Sequence, residues 1–88
     1  MQVVQAIGAV KVSNRTSVGI RTLNIKQKVV GMVLRGTKKI YHDDRVTIAE
    51  AGDIFLLNEG LHHIEECADN QLFEQILFYI TAEELHKH

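Results

Sequence analysis

Turn-forming clusters recur along this chain at SNRTS, RGT, HDD, AGD, NEG and ADNQ, a spacing close to the roughly 8 to 12 residues typical of β-sandwiches and barrels. Between them lie short runs rich in β-branched and aromatic residues, at 3–12, 18–25, 29–34, 37–42, 45–49, 53–57 and 72–80. Such runs read as strands, and the glycines supply turn angles that other residues avoid. No helical heptad or internal repeat competes, so the fold class expected is all-β.

With 88 residues the chain forms one domain, burying about 60 to 65% of its unfolded surface. A hydrophobic fraction of 45% against 24% charged residues indicates a soluble globular domain rather than a disordered chain. No apolar stretch approaches the roughly 20 residues of a spanning helix, and the opening MQVVQAIGAVKVSNR lacks the parts of a secretory signal. A cytoplasmic location without membrane contact is expected. Cys67 is the single cysteine, which excludes an internal disulfide and leaves too few thiolates for a structural zinc site. It follows two carboxylates, a poor setting for a reactive thiolate.

Charge is uneven. Residues 1–48 carry nine Lys or Arg against Asp43 and Asp44, and residues 49–88 carry nine Asp or Glu against Lys87. Such asymmetry can mark a nucleic-acid-binding half. The basic residues alternate with apolar ones instead of clustering with aromatics, which favours compensation between strands paired in space.

At the C-terminus Thr81-Ala82-Glu83-Glu84 has the form of a capping box. A helix is expected to start there, and the sequence stops after barely two turns. Isolated helices this short are marginal in water. The expected division is therefore a strand-built body over 1–80 and the start of a helix over 81–88, cut from something longer.

The stretch GDIFLLNEGLHHIEE, residues 52–66, holds two adjacent histidines. Adjacent side chains of a strand point to opposite faces, so His62 and His63 do not readily share a metal. The remaining histidines, His42, His86 and His88, lie in a turn and the tail. No phosphate loop, Ser-His-Asp arrangement or paired-carboxylate motif is visible, and no catalytic set, metal or other cofactor is expected.

The same stretch resembles the second motif of the cupin superfamily, with Gly52, Asn58 in place of the motif's proline, Gly60 and His63 at the matching positions. Upstream, Gly36 resembles the glycine closing the first motif. The two histidines and glutamate that should precede it are missing from IRTLNIKQKVVGMVLRG, as in a cupin that kept its barrel and lost its ligands. Over about residues 29 to 85, GDIFLLNEGLHHIEECADNQLFEQILFYIT with the capped TAEEL is similar to the N-terminal arm of AraC-family transcription regulators.

The resemblance implies a cupin-type double-stranded β-helix barrel, jelly-roll-like, with a short C-terminal helix. It implies a regulatory domain, not an enzyme, that senses a small-molecule effector or a protein co-regulator and forms a homodimer. DNA would be bound only through helix-turn-helix units that this sequence does not contain. A small free-standing metal-dependent cupin enzyme is the alternative.

Four candidate ligand-binding residues follow. His63 either hydrogen-bonds an effector or is a rim histidine satisfied by a carbonyl or water. Glu65 shares its face and is either solvated or paired, with Arg21 as the partner to look for, because an unpaired buried carboxylate is costly. Tyr79 either serves a ligand or is core with its hydroxyl at the rim. His62, on the other face, is expected to be exposed. Arg35, Lys38 and Lys39 would form a basic hairpin edge or protect one. Val30, Met32, Leu34, Ile54, Leu56 and Leu77 are expected on the inner faces, where they suit a packed core or an apolar ligand. These face assignments rest on strand parity, which a one-residue bulge inverts.

Overall fold

The computed structural model describes residues 6–80 apart from Gln71. Eight strands follow in order: β1 Ala6–Asn14, β2 Val18–Ile25, β3 Lys28–Arg35, β4 Thr37–Tyr41, β5 Val46–Glu50, β6 Ile54–Leu57, β7 Gly60–Cys67 and β8 Phe73–Ile80. Seven match runs read from the sequence. The eighth, β7, is the histidine-bearing stretch GLHHIEEC, whose polar residues on both faces hide the alternation that marks a strand. No described residue is helical, so none belongs to a helix long and apolar enough to cross a membrane. The helix expected from Thr81 lies outside the described residues.

The strands form two four-stranded sheets, β1-β8-β3-β6 and β2-β7-β4-β5, with every pairing antiparallel. Only β4 and β5 are neighbours both in sequence and in a sheet; every other pairing joins strands distant in sequence. This is the double-stranded β-helix expected. It also places β4 between β7 and β5, correcting the expectation that Lys38 and Lys39 line a sheet edge.

The core lies between the sheets. Val29, Val33, Phe55, Leu57 and Phe73 come from the first sheet, and Ile40, Ala49 and Ile64 from the second. Full burial of each larger side chain contributes about 1.5 to 3 kcal/mol. Two glycines make this packing possible. Gly31 sits opposite Phe55 in the β3–β6 ladder, and a Cβ there would lie 2.1 Å from the ring. Gly36 carries the chain between sheets at φ 90°, with the Cys67 carbonyl 2.5 Å from where its Cβ would stand. Between β7 and β8, Asp69 and Leu72 close a tight turn with Asn70 at φ 48°.

Most of the expected inner faces are inverted. Leu77 does face the interior, but Ile54 and Leu56 are 68% and 55% exposed, and Val30 and Met32 share their outer face across the ladder. The physical reason is that β3, β6 and β8 are apolar on both faces, so hydrophobic alternation does not fix parity there. The contact between Gly31 and Phe55 does, because those two residues must face inward together.

Candidate functional site

A cavity of about 380 Å³ opens between β1 and β2, the edge strands on one side of the sandwich. Val12, Leu23, Ile25, Val29, Leu57 and Leu77 form apolar walls, with Ile64 between them. Arg21, Lys38, Glu66 and Gln75 form a polar floor, while Asn24, Lys26 and Gln27 stand where β2 turns into β3. The volume falls within the range of small-molecule sites.

Glu66 organises the floor. Its side chain is 2% exposed, and each carboxylate oxygen accepts two hydrogen bonds. Asn14 Nδ2 and the Arg21 guanidinium donate to Oε1, each at 2.9 Å. Lys38 Nζ at 3.2 Å and Gln75 Nε2 at 3.1 Å donate to Oε2. The carboxylate's acceptor capacity is thus filled, and the contacts join five strands from both sheets. Lys38 also donates to Gln75 Oε1 at 2.8 Å and lies 4.6 Å from the centre of the Phe55 ring. Burial lowers the Lys38 pKa below its ordinary value, against the opposing pull of Glu66.

A bulge in β2 brings Arg21 to this floor. Val18 pairs with Glu66 and Arg21 with Ile64, so three residues of β2 span two of β7. The extra residue turns Arg21 inward and leaves Ile20 62% exposed.

Of the four candidate residues, Arg21 and Tyr79 line this one cavity. His63 and Glu65 do not reach it. They lie on the outer face of the second sheet, where His63 Nδ1 and Thr22 Oγ1 are 2.8 Å apart and the Tyr41 hydroxyl donates to Glu65 at 2.5 Å. That bond, with smaller contributions from burial and charge, raises the Tyr41 pKa above 10.0. The carboxylate that Arg21 pairs with is Glu66, not Glu65. One step of parity along β7 separates the two, and the inward residues are Ile64 and Glu66. His62, expected to be exposed, is half-buried with the inward set. It bonds to the Asn58 carbonyl at 2.7 Å and lines a second cleft with His42 and Arg45.

Sequence reasoning missed Lys38, Glu66 and Gln75. A rule that places apolar residues inside reads them as surface, and the only available signal is an acid and a base in strands that pair directly, Lys38 opposite Glu66. This donor set does not suit a metal. The floor offers ammonium, guanidinium and amide groups, with one carboxylate already saturated, and among the described residues no three His, Cys, Asp or Glu side chains converge.

A family model described as the AraC-like ligand binding domain matches residues 26–87. The chain belongs to the AraC-like ligand binding domain family. Solved structures share the double-stranded β-helix fold. An RmlC-like cupin from Shewanella frigidimarina superposes at TM-score 0.64 with 18% identity, covering 94% of this chain and 86% of that one. The EutQ protein of Clostridium difficile superposes at TM-score 0.65 with 18% identity, covering 86% of this chain. This AraC-like domain spans 57% of that EutQ chain. A de novo designed double-stranded β-helix, 12% identical, superposes at TM-score 0.55 over 82% of this chain and 97% of its own. No curated protein sequence matches.

Proposed function

We propose that this chain is the sensing arm of a cytoplasmic AraC-type transcription regulator, that its cavity takes a small-molecule effector, and that it acts by binding rather than by catalysis. The observation that carries this reading is the cavity between β1 and β2, with apolar walls over a buried polar floor. The floor's one carboxylate is committed to four donors, which suits holding a shape more than transferring protons. A signal can alter DNA binding only through its different affinity for two states. The cavity touches β1 and β2 of opposite sheets together with β8, so an occupant would bear on the strand that leads to residue 81.

Pairing with a second copy is part of the same proposal. The outer face of the first sheet carries Ile54, Leu56, Val30, Met32, Ile76 and Phe78 in adjacent register. Ile54, Leu56 and Phe78 within it are 68%, 55% and 37% exposed, and a contiguous exposed apolar patch of this kind marks an interaction surface. The six residues carry no charge, and Lys11 stands opposite Ile76 at the rim, so two copies meeting through this face would desolvate no charge at its centre.

The sensing reading is tested by a thermal-shift screen of sugars, organic acids, amines and alcohols. A true ligand at 100 times its Kd adds about 2.7 kcal/mol of stability, and Leu23→Trp, which fills the cavity, should abolish the shift. A screen without any saturable stabiliser, or shifts that Leu23→Trp leaves intact, would overturn it.

A further inference from the structure

The cavity's charged groups do not balance. Arg21, Lys26 and Lys38 line it against one carboxylate, Glu66. The excess persists without Lys38, since Arg21 and Lys26 still outnumber Glu66. The hydrogen bonds are one-sided in the same sense. Both Glu66 oxygens are already taken, and the Gln75 carbonyl oxygen accepts from Lys38. Arg21 spends one nitrogen on Glu66 and keeps others, on a side chain 43% exposed. Lys38 spends two of its three protons on Glu66 and Gln75. The floor therefore offers spare donors and no spare carboxylate.

We propose that the effector is an organic acid: an anionic head seated at Arg21, and an apolar body along Leu23, Ile25 and Leu77. This rests on the sensing reading above and narrows it. A polyol would find acceptors in Asn24, Gln27 and Tyr79 but gains little from these apolar walls. A cation would meet three like charges. An anionic head completes the guanidinium's donors with the short, charge-assisted bonds that Arg forms to carboxylates, and the apolar walls supply the rest of the affinity.

The test is calorimetric titration of the whole chain with octanoate, octan-1-ol, octylamine and L-arabinose. Octanoate should bind at least about tenfold more tightly than octanol, the equivalent of one charge-assisted hydrogen bond. Arg21→Gln should remove that preference while leaving octanol unchanged. Because Arg21→Gln also removes a donor to Glu66, the exposed Lys26→Gln is the second variant. It should weaken octanoate about two- to threefold at low salt and have no effect at high salt. Equal binding of octanol, tighter binding of octylamine, or binding of arabinose alone would overturn the anionic head and leave the sensing reading standing. Binding by none of the four would also overturn the proposal. The thermal-shift screen then decides separately whether the cavity senses anything.

Discussion

Lys38 and Glu66 face each other across the β4–β7 ladder, Nζ to Oε2 at 3.2 Å, with side chains only 3% and 2% exposed. Removing one partner of such a pair leaves the other charged and buried, which costs about 3 to 5 kcal/mol. Replacing both with apolar residues of similar size avoids that cost. Glu66→Leu should therefore destabilise the domain by about that amount in urea unfolding, and Lys38→Met combined with Glu66→Leu should recover part of the loss. A single variant within about 1 kcal/mol of wild type would show that the floor is solvated and not closed.

The lowered Lys38 pKa has a consequence for pH dependence. Between the folded value and 10.5, the unfolded chain binds the proton and the folded chain does not. Stability from this group therefore rises with pH through the window below 10.5 and is lower beneath it. Wild type minus Lys38→Met, measured by urea unfolding from neutral pH upward, should show a difference that climbs on the alkaline side. A flat difference would mean that Glu66 holds the lysine at its ordinary value.

Tyr41 should move the other way. Its hydrogen bond to Glu65 holds the phenol protonated, so the stability it contributes is present below 10.0 and lost as pH rises through the higher folded value. The chain has two tyrosines, so Tyr79→Phe isolates the signal. In that background, ultraviolet titration should find tyrosinate forming above pH 10.0, and Glu65→Gln should bring it back toward the ordinary value. Ionisation at the ordinary value before Glu65 is changed would remove the bond.

These residues show what could be read in advance. The strand runs, the turns at Gly36, Gly52 and Gly60 and the β-barrel class were legible because turn chemistry and β-branched runs are local signals. Arg21 and Tyr79 both line the cavity, but Arg21 was expected as the partner of Glu65 and pairs with Glu66 instead. Face assignment was not legible on β3, β6 and β8, where both faces are apolar, nor on β7, where both are polar. It depends on which glycine meets which ring and on where β2 bulges, and these are tertiary facts. The buried floor inverts the usual rule, since Lys38, Glu66 and Gln75 are interior while Ile54 and Leu56 are exposed.

Gly31 tests that parity directly. A methyl group there meets the Phe55 ring at 2.1 Å, and overpacking of this kind costs about 1 to 3 kcal/mol. Gly31→Ala should lower stability by that much, and Phe55→Leu in the same chain should relieve part of it. Gly19, with nothing within 4 Å of its would-be Cβ, is the control, and Gly19→Ala should fall within about 0.5 kcal/mol of wild type. Equal effects at the two glycines would place Gly31 on the outer face and reverse every assignment made for β3.

The outer face separates self-association from folding. Ile54 and Leu56 are 68% and 55% exposed, so a charge at either position desolvates little in the single chain. Leu57 beside them is 3% exposed and part of the core. Ile54→Lys with Leu56→Glu should leave the urea midpoint within about 0.5 kcal/mol of wild type. In sedimentation the same variant should turn a dimer into a monomer, because the paired face would have to bury both charges from each copy without designed partners. Leu57→Ala makes the opposite case. It should cost about 2 to 5 kcal/mol of stability and keep the dimer for as long as the chain stays folded. A dimer that survives the double change at full strength would move the interface to another face, and a wild-type chain that sediments as a monomer at high concentration would remove the pairing altogether.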